Sequence, residues 1–160
     1  MQRHNVWAGL DGQTGDGAFN IRFRTPVIEV GETSGYGDHV LVVWPFADEG
    51  SSALPDDAQA LQLAQFEKLL CDAWEGDGLA FLAAVLTFDG ARQWVFYTAD
   101  VPSCGQRLTT LTQTHEAYPV QLTRNADPDW SYLRDSVLQQ VHWHEHQAEW
   151  NERLDREVPE

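Results

Sequence analysis

Between about His39 and Trp130 the spacing of apolar residues switches twice from a period near two to a period near 3.6 and back, and this constrains the fold more than any other feature. Val40-Leu41-Val42-Val43-Trp44 is apolar on both faces, as in a strand inside a covered sheet, and Pro45 marks its end. Pro55-Asp56-Asp57 suits a first helical turn, with proline preset for the backbone and carboxylates facing the positive helix terminus. The stripe Leu63, Phe66, Leu70, Ala73 and Trp74 follows, with Gln62, Gln65 and Asp72 turned to water and Gly76 or Gly78 as a left-handed cap. Leu79 to Phe88 is a second apolar strand, and Asp89-Gly90 is the dipeptide of a type I′ turn. Ala91 to Thr98 must therefore return antiparallel, with Trp94 and Phe96 on one face and Gln93, Val95 and Tyr97 on the other. Asp100 caps a second helix lined by Val101, Cys104, Leu108, Leu111 and His115, and Tyr118 to Thr123 is the last strand. Asp127-Pro128 then opens a C-terminal helix in which Asp127 is the cap and Trp130 the anchor.

Two consecutive β-α-β units joined by a hairpin specify a ferredoxin-like α+β sandwich, βαββαβ, with an antiparallel sheet in the order 4-1-3-2 and both helices on one face. Upstream, Trp7 to Gly17 carries Gly9, Gly12, Gly15 and Gly17 and reads as turn chemistry, since Gly15 breaks the alternating oxygen ligands of a calcium loop. Ala18 to Arg24 alternates as a half-buried strand, Phe19, Ile21 and Phe23 against Asn20, Arg22 and Arg24, and extends or flanks the sheet. Val27 to Val30 continues it, and Gly31 to Asp38 is a loop. The organisation expected is one ferredoxin-like domain over residues 1–140 with an N-terminal strand extension, then a long C-terminal helix extending over 141–160.

A formal charge of −15 over 160 residues repels phosphate backbones and anionic lipid, so direct nucleic-acid and membrane binding are set aside; acidic carboxylates suit a basic protein partner, and such a balance is also ordinary for soluble bacterial proteins. Met1-Gln2-Arg3-His4-Asn5 leads into Trp7 without the apolar run of a signal peptide, and no later stretch approaches the ~20 apolar residues of a membrane span. The expected location is cytoplasmic. Cys71 and Cys104, the two cysteines, lie on or beside helical apolar stripes and read as buried free thiols.

Trp94-Val95-Phe96-Tyr97-Thr98 after the Asp-Gly turn, followed by Asp127-Pro128-Asp129-Trp130-Ser131-Tyr132, resembles the bacterial domain of unknown function family numbered 695. Trp7, Gly9 and Asp11-Gly12, then Ile21-Arg22-Phe23, and the Leu54-Pro55 helix start resemble it too, so the likeness spans about Trp7 to Leu138. The family has no established activity, and the resemblance implies a fold and no mechanism. Its architecture is similar to that of the ribonuclease E activity regulator B family, whose small regulator inhibits that bacterial endoribonuclease by binding it.

Val141-His142-Trp143-His144-Glu145-His146 places His142 and His146 one helical turn apart, with Glu145 and Glu149 close enough in angle to add oxygen. The zinc-protease signature fails because Ala148 occupies the position of its second histidine. A solvated helix end without bound metal is the expectation. Cys104 and His115 are separated by roughly 16 Å of helix and cannot pair, and Ser34, Ser51 and Ser52 lack a nucleophile elbow. His115 is expected to be a partly buried structural histidine. Trp143, Trp150 and Leu154 form a sparse apolar stripe that needs burial, against this domain or across a homodimer. The functional expectation is a non-catalytic binding or regulatory protein without a cofactor, meeting a basic protein through its acidic surface. The alternatives are a metal-dependent hydrolase using His142, Glu145 and His146, and a small-molecule sensor whose pocket is lined by Trp44, Trp94 or Tyr97.

Overall fold

The computed structural model describes residues 6–14, 17–25, 36–47, 54–114 and 118–138. They form an α+β fold with a six-stranded sheet, every pair antiparallel, in the order β1-β2-β4-β5-β3-β6. The strands are β1 (Val6–Thr14), β2 (Gly17–Thr25), β3 (Asp38–Pro45), β4 (Ala80–Phe88), β5 (Ala91–Thr98) and β6 (Gln121–Ala126). The helices are α1 (Asp57–Glu75), α2 (Val101–Thr114) and a short wide-turn π-type helix, α3 (Tyr132–Leu138). Counted from β3, the strands lie in the order 4-1-3-2.

Local chemistry sets the ends of these elements. Asp89 and Gly90 both take positive φ, 53° and 76°, as a type I′ turn requires, and β4 and β5 pair around them. Asp56 caps α1 by accepting from the Gln59 backbone N–H, while the Gln59 side chain accepts from the Asp56 N–H in return. Pro55 thus precedes the cap. At the other end Gly76 keeps a right-handed helical φ, and Gly78, at φ 79°, is the left-handed residue. Asp100 accepts from the Ser103 N–H and Oγ at the start of α2.

The sheet buries two cores. On one face Val40, Val42, Trp44, Leu82, Val85, Trp94 and Phe96 meet Leu63, Phe66, Leu70 and Trp74 of α1 and Val101, Cys104, Leu108 and Leu111 of α2. On the opposite face Phe19, Ile21, Phe23, Val95 and Tyr97 pack with Trp130, Leu133 and Val137. Leu82 and Val85 share a face although an odd number of positions separates them. Ala83 has no cross-strand partner, and this bulge resets the alternation, a feature invisible in an unbroken apolar run.

Two expected elements differ. The glycine-rich segment from Trp7 is strand β1 rather than a turn, hydrogen-bonded along its length to β2. Gly12 stands opposite Phe19, and a Cβ there would lie 2.6 Å from the phenyl ring, so glycine admits the ring over the backbone. The last strand begins at Gln121, three residues after Tyr118. Among the described residues no helix is long and apolar enough to cross a membrane. Val27 to Val30, Ser34, the loop 50–52, His115 and the C-terminal extension 141–160 lie outside the described residues.

Candidate functional site

The second core organises a polar cluster where β3, β5 and the segment joining β6 to α3 meet. Register pairs His39 of β3 with Tyr97 of β5 and with Asn125 of β6. Tyr97 Oη donates to Asp127 Oδ2 at 2.8 Å, and Asp127 also accepts from Ser131 N–H and Oγ at 2.8 and 2.7 Å and from Tyr132 N–H at 3.0 Å. Both carboxylate oxygens are thereby occupied, and Asp127 is the cap expected of it. It caps from further back than an N-cap residue. The chain first turns through Asp127–Trp130, with Trp130 N–H on the Asp127 carbonyl and Trp130 itself left-handed at φ 56°. That turn lays the indole on Tyr97, ring centroids 4.0 Å apart, and its Nε1 donates to the Tyr36 carbonyl at 2.7 Å.

Tyr132 stacks on His39 at 4.4 Å, so the imidazole lies between Tyr132 and Tyr97. His39 is 4% exposed, and its Nε2 has no hydrogen-bond partner among the described residues. Above the cluster opens a cavity of roughly 400 Å³ lined by His39, Asn125, Asp127, Ser131, Tyr132 and Asp135.

The electrostatics follow from these contacts. Burial lowers the proton affinity of His39, and the nearby Asp127 carboxylate only partly offsets it, so the imidazole is neutral near neutral pH. Burial works to raise the Asp127 carboxyl, but the hydrogen bonds from Ser131, Tyr132 and Tyr97 outweigh it and hold Asp127 ionised below its ordinary range. Burial first, then the bond to Asp127, pushes the Tyr97 phenol well above its usual value. Asp127 and Tyr97 are thus locked to each other.

The expected binding residues divide between the two faces. Trp44 and Trp94 lie in the helix-covered core, bridged by Phe66 at centroid distances of 5.4 and 5.1 Å, and Trp94 Nε1 donates to Glu67 at 2.8 Å. Tyr97 lies in the opposite core, because alternation along β5 separates it from Trp94. Of the three, Trp44 lines a cleft of roughly 290 Å³ with Phe46, Gln59, Gln62 and Tyr118. His142, Glu145 and His146, and the self-association candidates Trp143, Trp150 and Leu154, lie outside the described residues. Among the described residues no three His, Cys, Asp or Glu side chains gather as a metal site. His39, Tyr132 and Asp135 were not singled out by sequence. The available signal was a histidine at the head of an apolar strand, five residues before its aromatic end at Trp44.

A family model, the Family of unknown function (DUF695), matches residues 5–138. No curated protein and no solved structure matches the chain. The two segments that meet at the cluster, Trp94 to Thr98 and Asp127 to Tyr132, both fall within the matched range.

Proposed function

We propose that this chain, which belongs to the Family of unknown function (DUF695), works by binding rather than by catalysis, as a regulator or inhibitor that meets a basic protein partner in the cytoplasm through an acidic surface. Its fold is ferredoxin-like in this reading, and the 4-1-3-2 order of β3 to β6 with α1 and α2 packed on one face supports it.

One observation carries the reading: among the described residues, four of the cations are already engaged in ion pairs with carboxylates of the same chain. Arg22 pairs with Glu67 at 2.6 Å, Arg24 with Glu75 at 2.7 Å, Lys68 with Asp72 at 3.2 Å and Arg107 with Asp77 at 2.8 Å. With 25 acidic side chains against 10 Lys and Arg, the surplus falls on carboxylates such as the exposed Asp57, Asp129 and Asp135. Uncompensated charge of one sign steers an oppositely charged partner and rejects like-charged ones.

The test is affinity capture by the full chain and by a variant with Asp57, Asp129 and Asp135 changed to Asn. The expected result is one basic protein retained in stoichiometric amount at low salt, released as the Debye length shrinks toward ~3 Å near 1 M salt, and weakened by the variant. Retention indifferent to both salt and substitution would refute the acidic surface as the recognition element.

A further inference from the structure

We infer that the cavity beside His39 is the point of recognition, a pocket that takes one lysine or arginine side chain of the basic partner; this rests on the acidic-binder reading above. Two carboxylates, Asp127 and Asp135, line the cavity, and among the described residues no Lys or Arg does. Their roles differ. Asp127 has both oxygens engaged and contributes charge without offering a lone pair, whereas the exposed Asp135 can pair directly with an entering cation.

Acidity alone would describe a solvated surface. The second, independent feature is His39, which lines the same cavity, is 4% exposed, and leaves Nε2 without a hydrogen-bond partner among the described residues. A buried polar nitrogen without a partner costs free energy, and an entering N–H donor relieves that cost. A neutral imidazole accepts such a bond, and burial keeps His39 neutral. The Tyr132 ring, stacked on His39, supplies an apolar and π-rich wall for the aliphatic stem or the guanidinium plane. Ser131 and Asn125 at the rim offer further acceptors to a donor-rich head group. A volume of roughly 400 Å³ accommodates one long side chain.

The experiment is a titration of the full chain, followed by backbone and imidazole NMR shifts, with an arginine-containing hexapeptide, the same peptide with citrulline for arginine, and spermidine. Expected is saturable binding of the arginine peptide with shifts centred on His39, Asn125, Ser131 and Tyr132, none with citrulline, and weaker binding of spermidine. Asp135→Asn should weaken the peptide about fivefold, the scale of one exposed ion pair, without changing the melting temperature. His39→Phe, which keeps the ring stack and removes the acceptor, should also weaken it. Saturable binding with shifts elsewhere and no effect of Asp135→Asn overturns the pocket and leaves the acidic binder standing. Absence of binding by any basic peptide at low salt overturns both. Spermidine binding as tightly as the peptide overturns the assignment to a protein side chain in favour of a free polyamine.

Discussion

The Tyr97 hydroxyl, on the central strand β5, donates a 2.8 Å hydrogen bond to Asp127, the residue that holds the first turn of α3, and so ties the sheet to the helix across thirty positions of chain. The same hydroxyl accepts from the Leu133 N–H at 3.3 Å, so one oxygen links cap and helix. Tyr97→Phe removes both bonds and should cost about 1–2 kcal/mol, while Asp127→Asn, which turns an amide donor toward N–H groups, should cost about 2–3 kcal/mol. Because the two act as a unit, the double variant should fall short of the sum by about 1 kcal/mol. Urea denaturation of the four proteins measures the coupling. Strict additivity would mean that the pair is adjacent without being coupled.

Protonation of His39 should open the same region. The folded protein binds this proton less readily than the unfolded chain, whose histidines titrate near 6.5, because burial between Tyr97 and Tyr132 disfavours the cation more than Asp127 favours it. The unfolded state therefore takes up more protons, and the stability derived from a neutral His39 is complete above about pH 6.5 and falls as pH drops below it. The groups facing the imidazole are Tyr97 on β5, Asp127 after β6, and Tyr132 and Asp135 on α3. Melting temperatures between about pH 8 and 5.5 should decline less in His39→Phe than in the parent. Parallel profiles would assign the decline to other histidines.

Periodicity made most of this fold legible, and its failures have physical causes. β3, β4 and β5 stood out because strands buried on both faces are apolar throughout, and the Asp89-Gly90 turn left a single way to join two of them. β1 did not stand out, since Gly9 and Gly12 look like turn residues until Phe19 is placed across from Gly12. Arg22 and Arg24 alternate with apolar residues as solvent-facing side chains do, yet they face Glu67 and Glu75 of α1. At the candidate site Asp127 and Trp130 were readable as cap and anchor from their local pattern. His39 was not, because its stacking partners come from distant parts of the chain and only the register of three strands brings them together.

The N-terminal hairpin is held to α1 by a partly buried ion pair, and its energetic weight separates it from pairs at the surface. Arg24 donates to both oxygens of Glu75 at 2.8 and 2.7 Å and lies over the rings of Trp7 and Phe81 at 5.1 and 4.6 Å, with side chains only 11% and 21% exposed. Arg24→Met should cost about 2 kcal/mol, between the limits for surface and buried pairs, and should loosen β1 and β2 first. Lys68→Met, at a pair whose side chains are 78% and 68% exposed, should shift stability by no more than about 0.5 kcal/mol. Hydrogen exchange of the β2 amides distinguishes local release of the hairpin from general destabilisation. Equal costs for the two substitutions would show that burial does not set the value of these pairs.

The cysteines should be unreactive in the native state for a reason that goes beyond access. Cys104 is buried, but Cys71 is partly exposed on α1, and exposure alone would predict ready alkylation. Partial burial, then the carboxylates of Glu75 and Glu67 one turn to either side, push the Cys71 thiol up to about 12, with Arg24 opposing only weakly. At pH 8 the Cys71 thiolate is then scarce, whereas roughly a quarter of a free cysteine is ionised. Thiolate is the species that attacks a disulfide reagent, so native protein at pH 8 should release almost no chromophore from such a reagent, and protein in guanidinium should release two equivalents at once. Glu75→Gln should speed the native reaction at Cys71, both by removing a negative charge and by freeing Arg24. One fast equivalent from the unsubstituted native protein would mean that α1 opens readily, and that the glutamates do not govern the thiol.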